Sequence, residues 1–125
     1  MEVEVLGVLG SGTVHFSCAH GSAAGRWMSA GPVRTGAFHV EVEVPDEVAS
    51  WSAAPGGPGL HGDPASGLEV CLDAEVVSFE AGDPVVAVRL GADVLLVEFA
   101  DRAGLSAGAR ISFRVPEVHL YSTEL

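Results

Sequence analysis

Apolar and polar side chains alternate along most of the chain. Phe38, Val40, Val42 and Val44 alternate with Ala37, His39, Glu41 and Glu43, and a period of two sends successive side chains to opposite faces of a strand. Val14, Phe16 and Cys18 alternate in the same way with Thr13, His15 and Ser17. Leu68, Val70, Leu72, Ala74 and Val76 alternate with Glu69, Cys71, Asp73 and Glu75, and Ile111, Phe113 and Val115 with Arg110, Ser112 and Arg114. Each run predicts a strand with one buried and one wet face. Two further runs, Val85 to Leu90 and Val94 to Phe99, are apolar in both phases, which predicts strands at a barrel interior or beneath a covering loop. The opening run, Glu2 to Leu9, is a seventh candidate. No stretch carries the spacing of an amphipathic helix. The pattern predicts an all-β protein of six to seven strands.

The punctuation between these runs agrees. Gly91-Ala92-Asp93 separates two apolar runs as a short hairpin connection. Gly82-Asp83-Pro84 reads as a turn whose proline opens a strand where its missing N–H does little harm, and Ser106-Ala107-Gly108 closes another turn. Residues 21–36 and 53–67 are rich in Gly, Pro, Ser and Ala and predict two long loops. Pro45-Asp46-Glu47 offers one short helical turn running to Trp51. Val42 to Glu47 faintly echoes Val97 to Arg102, each a strand, a glutamate and an acidic turn. At 125 residues and 48% apolar composition, the chain is long enough for one domain, 1–125, around one core.

Charge narrows the function. Seventeen acids against six bases leave a net charge of −11, and every strong base is arginine. Nucleic-acid binding draws on cations that displace phosphate counterions, so a nucleic-acid partner is not expected. An acidic membrane surface would repel the chain, and no apolar run reaches the roughly 20 residues needed to cross a bilayer. A basic protein is the natural complement. The first residues, Met1-Glu2-Val3-Glu4-Val5, lack the basic start of a secretory signal. The two cysteines, Cys18 and Cys71, read as reduced thiols in a cytoplasmic protein.

Six or seven short strands with glycine corners suggest a small closed barrel, which removes exposed sheet edges. Three stretches sharpen this: Val94-Leu95-Leu96-Val97-Glu98-Phe99, Leu105-Ser106-Ala107-Gly108-Ala109-Arg110-Ile111, and Val115-Pro116-Glu117-Val118-His119-Leu120-Tyr121. Together, over about residues 70–125, they resemble the OB-type barrel of TOBE domains, accessory domains on the ATPase subunits of importers. The resemblance implies an OB-like barrel and, as a function, the binding or sensing of a small oxyanion. No phosphate-binding glycine-lysine loop is present, so there is no ATPase to serve within this chain.

The residues offer several candidate sites. Arg26, Trp27, Met28 and Arg34 lie in the first glycine-rich segment, and an aromatic and a thioether flanked by arginines make a plausible recognition patch. The alternative is that Trp27 caps one end of the barrel. Glu41, Glu43, Glu69, Asp73 and Glu75 fall on polar strand phases and form a continuous acidic wall if their strands are neighbours. Arg89, Arg110 and Arg114 either balance that wall or hold an oxyanion, as the resemblance implies. His15, Cys18 and His20, with His39 and His61 from elsewhere, are the densest set of metal-ligand types. Zinc, however, needs three or four donors converging at about 2.0–2.3 Å, and a thiol nucleophile needs a neighbouring cation that the sequence does not supply. The resulting expectation is a non-catalytic binding module for a protein partner. A small-oxyanion module is the alternative, and no catalytic residue, metal or cofactor is expected.

Overall fold

The computed structural model describes residues 1–54 and 56–123. Among them are eleven strands: β1 (Glu2–Gly10), β2 (Thr13–Cys18), β3 (Gly21–Trp27), β4 (Gly36–Glu43), β5 (Ser52–Ala53), β6 (Gly59–His61), β7 (Val70–Phe79), β8 (Val85–Leu90), β9 (Asp93–Glu98), β10 (Arg110–Val115) and β11 (His119–Ser122). The only helical element described is a 3-10 turn at Pro64–Ser66, whose first free N–H, that of Ala65, donates to the Asp63 carboxylate at 3.0 Å. The protein is all-β. The count exceeds six or seven because β5, β6 and the four-residue β11 are too short to show alternation and β3 is built from small residues.

β1, β2, β3, β11 and β4 close into a barrel in that order, with β11 parallel to β3 and antiparallel to β4. The remaining strands form a second sheet in the order β5-β10-β7-β8-β9, with β6 on the free side of β7. Of residues 70–125, which carry the family resemblance, only β11 enters the closed barrel.

The two sheets are built to one plan. Each begins with a three-stranded meander, β1-β2-β3 or β7-β8-β9. A fourth strand then returns beside the first: β4 on β1, β10 on β7. The third strand of each meander receives a parallel segment from the other half of the chain. β11 lies on β3, and Val48 bridges to Phe99 at the end of β9. Val44-Pro45-Asp46-Glu47-Val48 and Val115-Pro116-Glu117-Val118 occupy matching places just after β4 and β10. The echo between Val42–Glu47 and Val97–Arg102 is therefore not the structural repeat, since it aligns the end of β4 with the end of β9.

One apolar core runs through both halves, from Val3, Phe16, Val40 and Leu120 in the barrel to Leu72, Phe99, Ile111 and Phe113 in the second sheet. The alternation places these residues correctly. Val14 and Phe16 are fully buried, as are Ile111 and Val70.

Four expectations are corrected. Residues 21–36 are not one long loop, because the first seven form β3. Their small side chains hide the strand from a propensity reading, yet a Cβ at Gly25 would press on the Phe16 ring at 3.0 Å and on Leu120 at 3.2 Å, so the barrel interior requires glycine there. Residues 53–67 likewise contain β6 and the 3-10 turn. Gly21, at φ +143°, lets β6 approach β3: any Cβ would collide with the Leu60 carbonyl oxygen. No helical turn runs from Pro45 to Trp51; Val48 instead donates its N–H to Glu98 O at 2.8 Å and accepts from Ala100 N at 2.9 Å. Finally, Val94 and Leu96 are not covered. They stand 54% and 68% exposed while Leu95 and Val97 are buried.

Candidate functional site

The two sheets meet unevenly, and the unevenness makes a cleft. β9 ends the second sheet and β4 flanks it from the barrel. Between them lies a cavity of about 360 Å³ lined by Val40 to Glu43, Asp93 to Leu96, Met1 and Tyr121. At one end the Met1 ammonium donates to Val40 O at 2.8 Å and pairs with Asp93 Oδ1 at 3.3 Å, tying the barrel to β9. Glu41 and Glu43 are exposed along the β4 side, and Val94 and Leu96 are exposed on β9. The cleft thus combines exposed apolar side chains with carboxylates.

Behind β4 the charges form a chain. His119 stands in register with Arg26 on β3 and Glu43 on β4. The Arg26 Nε–H donates to Glu117 Oε2 at 2.6 Å. That hydrogen bond, and the nearby positive charge, hold the Glu117 carboxyl below its ordinary value, with burial working against them. His119 Nε2 lies 3.4 Å from the same carboxylate without hydrogen-bonding geometry, and Nδ1 lies 3.8 Å from Glu43 Oε1.

Arg26, Trp27, Met28 and Arg34 do not form one loop patch. Arg26 and Trp27 belong to β3, and Arg26 is engaged by Glu117. Trp27 is half-buried at the barrel end, edge-on to Phe38 with ring centroids 4.9 Å apart. The Arg34 guanidinium lies 4.9 Å over the same Phe38 ring. Only Met28 and Arg34 lie in the connection to β4, both exposed. Trp51 donates its Nε1–H to Asp101 O at 3.3 Å and packs by Gly104.

The acidic residues divide between two faces, because β4 and β7 belong to different sheets. On β7, Glu75 stands in register with Arg110 on one side and Arg89 on the other, and Arg89 Nη1 comes within 3.9 Å of its carboxylate. Glu69 pairs with Arg114 at 3.0 Å. The wall is therefore interrupted by arginines. Arg89 and Arg110 line a cavity of about 130 Å³ with Asp73 and Glu75, whereas Arg114 lies apart against Glu69. The three arginines do not converge on one anion.

Among the described residues no group of three His, Cys, Asp or Glu side chains is placed to hold a metal ion. His20 packs over Gly91 and His61 beside Gly59, on different elements. Cys18 and Cys71 are free thiols, and Cys71 Sγ lies 3.4 Å from Ser112 Oγ. No helix among the described residues is long and apolar enough to cross a membrane.

Sequence reasoning found Glu41 and Glu43 but missed Met1, Asp93, Val94, Leu96 and Tyr121 in the same cleft. The signal was present in the two-phase apolar run of Val94 to Phe99, which indicates either double burial or an exposed apolar edge. Comparison with known proteins finds no matching family model, no matching curated protein and no matching solved structure.

Proposed function

We propose that this chain is a non-catalytic binding module whose β4–β9 cleft takes a basic, extended segment of a partner protein. One observation carries the reading: Val94 and Leu96 stand exposed beside Glu41 and Glu43 in a cleft with no arginine in register with either acid. Exposed apolar side chains next to carboxylates favour a ligand that brings both apolar surface and positive charge. The net charge of −11 adds a long-range field of the same sign. The barrel's strand order, with its last strand parallel to the third and antiparallel to the fourth, supports an OB-like reading of the fold. The free thiols of Cys18 and Cys71 support a cytoplasmic setting.

The second reading, a TOBE-like small-ligand module, is favoured by Arg89 and Arg110 sharing one cavity. Asp73 and Glu75 line the same cavity, which weakens it as a site for a bare oxyanion.

Titration with an eight-residue peptide of alternating lysine and valine, in about 0.15 M salt where exposed charges are screened beyond ~8 Å, tests the first reading. Binding is expected to persist at that salt and to weaken at least tenfold (~1.4 kcal/mol) in the Glu41→Gln/Glu43→Gln double variant. Equal binding to the double variant, or loss of all binding at this salt, would overturn it.

A further inference from the structure

The half-filled sheet edges on either side of the cleft specify how such a segment is held. β4 is covered on one side by β11 along Val40 to Glu43, but on its other side β1 reaches only Gly36 to His39, with Met1 and Val40 exchanging backbone hydrogen bonds at the end. Backbone groups alternate in direction along a strand. Since Val40 faces β1, the N–H and C=O of Val42 turn toward the cleft. On β9, the two-residue Gly91-Ala92 connection makes Leu90 and Asp93 the closing pair of the hairpin, so Asp93, Leu95 and Val97 face β8. Val94, Leu96 and Glu98 then face outward. The Glu98 carbonyl confirms this parity by accepting from Val48. No strand pairs with Val42, Val94 or Leu96 on the cleft side among the described residues.

The other half of the molecule shows this space filled. Counting from the matching Val44-Pro45 and Val115-Pro116, β4 residues Glu41 to Glu43 correspond to Ser112 to Arg114 on β10. There, Cys71 to Asp73 of β7 lie in register alongside. β6 lies beyond them and joins that sheet to β3 through Leu60 N to His20 O at 3.1 Å and Gly62 N to Ser22 O at 3.0 Å. Extended backbone thus bridges the two sheets on that side of the molecule and is missing on the cleft side. Burial follows: Phe113 is 2% exposed, whereas its counterpart Val42 is only half-buried. β9 also lacks the usual protection of an open edge, having neither proline nor lysine between Asp93 and Glu98.

We infer that the partner segment binds as an added β-strand, joining the outward backbone groups of Val42 on β4 and of Val94 and Leu96 on β9. It would present apolar side chains to Val94 and Leu96 and basic ones to Glu41 and Glu43. This rests on the proposed function and specifies its geometry. The occupant is a strand of another protein, because its positive charge complements the cleft acids, whereas a second copy of this chain would bring a further −11.

Amide hydrogen exchange followed by NMR, with and without saturating Lys–Val octapeptide, separates the two claims. Strand addition predicts that the amides of Val42, Val94 and Leu96 exchange at least tenfold more slowly with peptide bound. It also predicts at least tenfold weaker binding of the same peptide with proline in place of its two central valines, where every lysine is kept but strand pairing is lost. Chemical-shift changes at Glu41 and Glu43 without slower exchange at those three amides would overturn strand addition while leaving the cleft as a binding site. Absence of any peptide effect would overturn both. Slower exchange without peptide, growing with protein concentration, would assign the edges to a second copy of this chain and likewise overturn the inference.

Discussion

The outer face of β7 and the β4–β9 cleft carry the same kind of side chain in opposite company. Just before β7, Glu69 meets Arg114, and on β7 Glu75 is bracketed by Arg89 and Arg110. In the cleft, Glu41 stands opposite Tyr121 and Glu43 opposite His119. Carboxylates beside arginines spend their field locally, whereas those beside an aromatic ring and exposed valine and leucine leave it available to an incoming cation. Acid content alone therefore does not mark a docking surface; the strand pairing decides which acids are compensated. The expected continuous wall fails for that reason, since β4 and β7 never become neighbours.

Both faces ride on one continuous core, and the largest expected effect tests whether that core unfolds as a unit. Phe16→Ala in the barrel and Phe99→Ala in the second sheet should each cost about 3–5 kcal/mol, the usual loss for a buried phenylalanine. Each ring is at most 1% exposed within the same continuous core, so urea unfolding should show a single shifted transition in both variants. Two separate transitions would mean that the faces belong to independent units.

A smaller effect concerns the charge chain behind the cleft. The Glu117 carboxyl is held below its ordinary value chiefly by its hydrogen bond from Arg26. A carboxyl lowered in the folded state stabilises the fold above its unfolded value and loses that contribution as pH falls through the lowered folded value. Melting temperatures from pH 6 to pH 3 should therefore decline less steeply in Arg26→Met than in the parent, from a lower start near pH 6. Parallel profiles would show that Glu117 does not depend on Arg26.

The smallest effect sharpens the contrast most directly. Arg114→Ala removes a pair whose side chains are 74% and 63% exposed, and such pairs contribute less than about 1 kcal/mol. Its stability in urea should barely change, but the octapeptide should gain weak affinity for the β7 face once Glu69 loses its partner. No change in where the peptide binds would show that the arginines do not mask this face.

Much of the fold was legible along the chain because burial at period two is a local property. Each residue from Val70 to Val76 has its face set by its neighbours one step away, and the structure keeps every buried phase that the pattern assigned there. β3 was not legible, since Gly21 and Gly25 are glycine for reasons that lie elsewhere, in the Leu60 carbonyl and in the Phe16 and Leu120 side chains they make room for. Within the candidate site, Glu41 and Glu43 could be picked out as outward acids, but their partners could not.

The sequence by itself determined the all-β class, the inward and outward phases of the longer strands, the turns at Gly82, Gly91 and Gly108, and the excess of negative charge. The tertiary structure alone decided which strands became neighbours, and with that which carboxylates met arginines, where Trp27 was spent on Phe38, and which edges of β4 and β9 were left facing each other. Side-chain alternation is written by adjacent residues. Pairing is a choice among distant segments made by the whole core at once, so no single stretch of the chain records it.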